Sequence, residues 1–265
     1  MHLIRRASAL LSGDVERWRI QNMETTEQRV NELGEPCLIV YQYFSAANVI
    51  RCIETRKFRI STIHNLNDPF EVRPVLRGAD PNSRREQERF LLEWRERKAQ
   101  EVGLLCFSAT KTNPLIWSHY ADRHRGIAIG FEYTVDNGRL FPVSYPENNV
   151  RPEVDFSDLS YTSEAKGREI FLTKARDWKY EEEYRELVAI SDCQTSEGTY
   201  FTHSIVWNHM GKQQRVLKEV IIGAHCAVCS EYIRNTLVQS GFKNVAMMKA
   251  RLSEDKYAVD SEIVQ

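Results

Sequence analysis

Cys37-Leu-Ile-Val-Tyr-Gln-Tyr43, then Phe44-Ser45-Ala-Ala-Asn-Val49, then Lys57-Phe-Arg-Ile-Ser-Thr62: this stretch decides the fold class. The first run is rich in β-branched and aromatic residues, which suit a pleated, half-buried surface. Ser45 can cap a helix whose entry is stapled by Phe44 and Val49, and the spacing carries that helix to about Thr55. Lys57 to Thr62 alternates polar and apolar side chains, the period of a strand. The unit is βαβ-like, and it is not repeated. Downstream of it come strands interrupted by short helices. That order predicts a mixed, mainly antiparallel α+β domain flanked by helices, rather than a doubly wound parallel sheet.

Working outward, Val102 to Ser108 and Gly126 to Val135 read as strands. Asp136-Asn137-Gly138 is the strongest hairpin signal in the chain and returns it through Leu140 to Tyr145. Asn65 to Glu71 is turn chemistry throughout, because Asn and Asp bond their own backbone and Pro69 fixes φ. Residues 82–101 form a charged helix with a narrow stripe at Phe90, Leu91, Leu92 and Trp94, and Leu115 to Tyr120 a short one. The stretch from Pro146 to Tyr161 reads as a long irregular loop. Ser163 to Arg176 is expected to be helical. Glu183 to Ile190, Thr199 to Trp207 and Val216 to Ile222 are expected strands. Ser230 is expected to cap a helix ending at Gly241, and Val245 to Ala250 and Tyr257 to Val259 close the chain as short strands. Upstream, Gly34-Glu35-Pro36 stops a helical pattern. The chain therefore divides into an N-terminal helical arm, 1–36, and a single α+β domain, 37–265.

Composition excludes several classes. The 265 residues carry 36 basic and 37 acidic side chains, a net charge of −1, which argues against a protein that coats nucleic acid. Hydrophobic residues at 42% and charged residues at 28% are globular proportions, not those of a disordered chain. No run approaches the roughly 18 apolar residues of a membrane span. Gly13 and Asp14 break the short apolar run at the start, so a secretory signal is not expected. The six cysteines are scattered and mostly lie in apolar stretches, as buried thiols in a reducing compartment would. A soluble, cytoplasmic protein is expected.

The most informative chemical cluster is Trp178-Lys-Tyr-Glu181-Glu182-Glu183-Tyr184-Arg185. If a strand begins near Glu183, then Glu181, Glu183 and Arg185 project from one face. Two carboxylates and an arginine together can hold a substrate hydroxyl and stabilise a developing cation, as in glycosidic bond cleavage. The plainer alternative is a solvated charge run. Asn67, Asp68 and Glu71 form either a ligand loop or a structured turn. Ser108 ends a buried strand without the elbow motif of a nucleophile. Trp117-Ser-His119-Tyr120 places aromatics and an imidazole on a short helix, where a structural histidine is the commoner outcome. Cys226-x-x-Cys229 lacks a partner pair and would need Cys193 or His203 to hold zinc, so no metal is expected. No phosphate-loop or dinucleotide glycine motif occurs.

Three blocks together carry a resemblance. The first is Tyr41-Gln-Tyr43-Phe-Ser45 with Phe58-Arg-Ile-Ser and Asn67-Asp-Pro-Phe-Glu71. The second is Cys106-Phe-Ser108, Trp117-Ser-His-Tyr120-Ala-Asp122 and His124-Arg-Gly126-Ile-Ala-Ile-Gly-Phe-Glu132. The third is Lys174, Trp178, Tyr180-Glu181, Glu183-Tyr-Arg185 and Lys218-Glu-Val-Ile-Ile-Gly223. Their order and content resemble the bacterial family known as domain of unknown function 2971, over roughly residues 38–260. More distantly, the succession of a Tyr-rich strand, a strand ending in serine and a Glu-x-Glu strand start is similar to ADP-ribosyltransferases.

That second resemblance implies a split, mostly antiparallel sheet that clamps NAD as substrate. By motif position, Gln42 or Tyr43 would contact the adenosine ribose. Ser108, with Tyr120, would border the nicotinamide pocket. Glu183 would hold the nicotinamide ribose, and Glu181 would position the acceptor. Asn67, Asp68, Trp117 and Arg185 complete the expected substrate-binding set. The histidine or arginine typical of the superfamily's first motif is absent. The implied activity is ADP-ribosyl transfer to a protein, a nucleic acid or water, the last making an NAD glycohydrolase, as in a toxin or defence effector. Two other readings stand beside it. One is a non-enzymatic sensor or interaction module using the 146–161 loop and the charged helix. The other is a metal-dependent nuclease built on Asp68, Glu71 and Glu132.

Overall fold

The most continuously apolar strand takes the centre of the sheet. Strand β6 (Ile127–Thr134) has partners on both edges and is buried along most of its length because apolar clusters cover both of its faces. The computed structural model describes residues 29–31, 34–78, 84–134, 139–161, 163–196, 200–204, 207–209 and 212–264. On one edge β6 pairs antiparallel with β13 (Lys212–Ile222), and on the other with β2 (Pro36–Phe44). Outside β13 lie β14 (Ala246–Leu252), in parallel, and β15 (Val259–Ile263), antiparallel. The short β12 (Trp207–His209) also pairs antiparallel with β13. Beyond β2 come β5 (Val102–Ser108), β9 (Glu183–Ala189) and β7 (Leu140–Pro142), all antiparallel. The fold is α+β, with a mixed, mostly antiparallel sheet flanked by helices.

Helices α1 (Ala46–Thr55) and α5 (Ser230–Gln239) cover one face. Val49, Cys52, Ile53, Ile233 and Leu237 bury there against Phe58, Phe107, Phe131 and Val220. Each such side chain contributes about 1.5–3 kcal/mol by leaving water. Helix α3 (Pro114–Tyr120) places Trp117 on the other face, against Tyr41 and Ala128. Helix α2 (Arg84–Glu101) presses Leu91 and Trp94 onto a further cluster with Ile170 and Phe171 from α4 (Glu164–Phe171). Of the expected stripe on α2, Leu92 is exposed. Among the described residues, no helix is long and apolar enough to cross a membrane.

Several sequence expectations need correction. The βαβ-like unit makes no parallel pair. Strand β3 (Lys57–Ile60) instead pairs antiparallel with β11 (Tyr200–Ser204), in a small sheet completed by β10 (Gln194–Ser196). It meets the main sheet through a bridge between Ser61 and Leu104. Residues 135–138 lie outside the described residues, but the strands flanking them do not form a hairpin. With β13 and β2 on its edges, β6 has none left, and β7 pairs with β9. The irregular loop contains β8 (Glu153–Asp155), parallel to β4 (Val75–Arg77), and a 3-10 turn at Phe156–Tyr161. The helix expected to reach Arg176 stops at Phe171, and Arg176–Glu181 is a separate 3-10 turn. Ser230 is the first residue of α5, with Cys229 at its N-cap. Residues 1–28 of the expected helical arm lie outside the described residues. At its end, β1 (Arg29–Val30) is a strand paired with β2.

Candidate active site

The main sheet is joined between β2 and β5 by one residue pair, Tyr41 with Ser108. Beyond that pair the strands part to different partners. Gln42, Tyr43 and Phe44 stay on β6, while Phe107 and Cys106 stay on β9. A cleft of about 310 Å³ opens in the gap. It gathers Gln42, Tyr43, Asn67, Ser108, Tyr120, Glu181, Glu183 and Arg185, with Arg59, Glu71, Cys106 and Lys174. Close packing fixes the junction. A Cβ on Gly130 would stand 2.9 Å from the Tyr41 ring, so only glycine lets that ring lie across β6.

Glu181 and Glu183 face one cavity, but not by strand alternation alone. Glu181 ends the 3-10 turn, and Glu182 adopts a left-handed conformation (φ 45°, ψ 51°) that turns the chain into β9. Within β9, Glu183 and Arg185 do share a face. Arg185 grips Glu183 with two bonds, Nε to Oε1 at 2.7 Å and Nη2 to Oε2 at 2.9 Å. It also donates to Glu71 and, through Nη1, to the Phe171 carbonyl at 2.7 Å. Lys174 Nζ lies 2.5 Å from Glu181, 3.3 Å from Glu183 and 3.4 Å from Glu71. Tyr120 donates its hydroxyl to Glu181 and accepts from Asn67 Nδ2 at 2.6 Å.

Electrostatics separates the two carboxyls. Burial alone would push Glu183 up, but the charges of Arg185 and Lys174 outweigh it and hold the group at about 2. Burial pushes Glu181 up; Lys174 opposes this, the Glu183 charge adds to it, and the net shift is upward. Lys174 is itself raised, because Glu183, Glu71 and Glu181 together outweigh its desolvation. Burial and the Glu181 charge raise the Tyr120 hydroxyl. Three carboxylates against Lys174 and Arg185 leave one surplus negative charge when all are ionised. Two neighbouring carboxyls shifted in opposite directions by their surroundings are the kind of pair from which acid and base roles are drawn.

The other expected residues are placed differently. Ser108 Oγ closes a local turn, accepting from Thr110 N at 3.1 Å and donating to Thr110 O at 3.3 Å. Tyr43 donates to the Thr110 carbonyl at 2.7 Å. Gln42 lines the cleft, and its Oε1 has no partner among the described residues. Trp117 is fully buried beneath Tyr43, edge-on at 5.2 Å, and does not reach the cleft. Asp68 faces a neighbouring cavity. Glu132 pairs with Lys218 at 3.7 Å and lines neither cavity, so the three carboxylates of the nuclease reading are not gathered. Among the described residues, no three His, Cys, Asp or Glu side chains form a metal site.

Sequence reasoning gave no chemical role to Lys174, which sits in an ordinary Leu172-Thr-Lys-Ala175 stretch. Tyr145, whose hydroxyl accepts from Glu183 N at 3.0 Å, was equally without a signal. No family model, curated protein or solved structure matches this chain.

Proposed function

We propose that the cleft between β2 and β5 binds NAD and breaks its nicotinamide–ribose bond, as an ADP-ribosyltransferase or an NAD glycohydrolase. The observation that carries this reading is the pairing of Glu183, held ionised, with Glu181, shifted upward, in a buried cluster with one surplus negative charge. The order of motifs resembling ADP-ribosyltransferases supports it, as does a sheet that opens where those motifs meet. Such an activity would suit a toxin or defence effector.

In the reaction, the C1′–N bond breaks and its electron pair leaves with nicotinamide, whose ring nitrogen passes from cationic to neutral. The ribosyl cation left behind is stabilised by the fixed charge of Glu183 in a site of low dielectric. Arg185 and Lys174 keep that carboxylate ionised and immobile. The acceptor, water or a nucleophile of a protein or nucleic acid, attacks C1′, and its proton passes to Glu181. Asn67 orients Tyr120, and Tyr120 orients Glu181. Gln42 offers an acceptor to the ribose.

A binding role without turnover, as a sensor on the same fold, is favoured by one observation: both Glu183 oxygens are already held by Arg185. Incubating the protein with NAD while following free nicotinamide and melting temperature separates the two readings. Nicotinamide release abolished by Glu183→Gln supports the enzyme, and stabilisation without release supports the sensor. Neither effect, with no consequence of Glu183→Gln in cells, overturns both.

A further inference from the structure

A second cavity, of about 420 Å³, lies against the first, and Glu71 and Lys174 line both. Its walls are largely apolar. Phe70 is 60% exposed at its edge, and Trp178 presents an indole whose ring carries Lys174 Nζ 4.7 Å from its centroid. Two carboxylate oxygens there lack a hydrogen-bond partner among the described residues: Glu71 Oε1, which has Lys174 Nζ at 3.4 Å, and Asp68 Oδ2, which has no such cation beside it. Asp68 is 4% exposed, and its Oδ1 accepts from Phe70 N at 2.8 Å. Its Oδ2 accepts from no group among the described residues. A buried acceptor without a donor is destabilising, so an arriving donor is favoured by the full cost that its absence imposes.

The surrounding charges indicate what kind of donor. Asp68, Glu71 and Asp177 face Arg73, Arg151 and Lys174, three charges against three. Arg73 is engaged by Glu88 at 2.9 Å, and the Arg151 guanidinium lies over the Phe70 ring at 5.8 Å. Three cations line the same cavity as Asp68, so the donor need not bring a charge of its own. The pocket asks for a neutral N–H donor on a flat body that can stack on aromatic and guanidinium faces. An exocyclic amino group on a heterocycle meets that description. Carboxylate side chains read the amino group of cytosine this way, and aromatic and arginine planes hold unstacked bases.

We propose that this pocket binds an amino-bearing nucleobase, adenine or cytosine, with its amino group on Asp68 and its ring against Phe70 and Trp178. The base can belong to a free nucleoside or to a single strand. The proposal does not depend on turnover of NAD in the adjoining cleft.

Calorimetric titration of the full chain with adenosine, inosine, cytidine and uridine tests it, with short dC and dT oligonucleotides distinguishing the two sources of the base. Adenosine and cytidine are expected to bind saturably and about tenfold more tightly than their oxo counterparts. Asp68→Asn, which keeps the turn acceptor, is expected to erase that preference, and Phe70→Ala to weaken binding several-fold. Glu132→Gln, at a residue that lines neither cavity, should leave nucleoside affinity unchanged. Equal affinity for amino and oxo nucleosides overturns the proposal, as does the absence of saturable binding. Should Asp68→Asn fail to fold, the exposed Phe70→Ala decides: unchanged affinity overturns the proposal.

Discussion

The two faces of β9 hold two buried ionic clusters, and they are built differently. On one face Glu186 lies 2.5 Å from Arg215 Nη1, accepts from Tyr133 at 3.0 Å, and is reached by Arg139 at 3.4 Å. The Arg215 guanidinium also lies over the Phe58 ring at 5.0 Å. This cluster is packed into the core beneath α1 and lines neither cavity. On the other face Glu183 and Arg185 meet Lys174, Glu181 and Glu71, with a carboxylate in excess and a cleft in front of them. Both faces use the same strand and the same residue types. A buried carboxylate matched by cations behaves as structure, whereas one in excess beside a cavity has its protonation tuned and is available to chemistry.

This contrast can be broken most directly by Arg215→Met. It removes the buried partner of Glu186, leaves only the partly exposed Arg139 as its cation, at 3.4 Å, and should cost about 3–5 kcal/mol in urea unfolding. A cost within the error of the measurement would remove the distinction. Next is Glu183→Gln, measured at a temperature where the protein remains folded. Nicotinamide release should fall about 100- to 1,000-fold, as when one preorganised electrostatic group is removed.

Glu181→Gln sharpens the comparison. The rate of release should fall about 100-fold for loss of the proton acceptor, yet stability at neutral pH should hold or rise, because the surplus charge is gone. A large drop in melting temperature would place Glu181 with Glu186 instead.

The pH profile of urea unfolding gives a smaller effect with two opposite signs. Glu183, held at about 2 against an ordinary 4.5, contributes stability above pH 4.5 that is lost as pH falls towards 2. Glu181 is shifted upward, so its contribution is complete below pH 4.5 and is lost as pH rises through its raised value. Glu181→Gln should flatten only the second slope. The smallest expected change is Asn67→Ala, which frees the Tyr120 hydroxyl on one side at about 1 kcal/mol, read as a several-fold loss of rate.

The sequence made the strands of the main sheet legible because their β-branched runs are local signals: β2, β5, β6 and β9 lie where periodicity puts them. Glu181, Glu183 and Arg185 were legible as a charge cluster. Pairing was not. Asp136-Asn137-Gly138 carries turn chemistry, but which strands then pair depends on which edges are free, and β6 has none. Lys174 was legible only as a member of the third resemblance block, without a role, because nothing in its neighbours signals that it will be buried among the carboxylates of Glu71, Glu181 and Glu183. Trp117, read as a ligand contact, carries the same aromatic signature whether it faces a substrate or supports Tyr43 from behind.

The single Tyr41–Ser108 pair has a mechanical consequence. Cooperative strength in a sheet passes through its hydrogen-bonded rungs, and at this seam there is one position to pass it. The ladder from β15 to β2 and the ladder from β5 to β7 are therefore joined chiefly by side chains, such as Glu186 on Arg215 and Phe107 against Phe131, rather than by rungs. Amide exchange should resolve them as two protected units with different opening energies. A ligand lying across the gap would act as a missing rung and bring their opening into step.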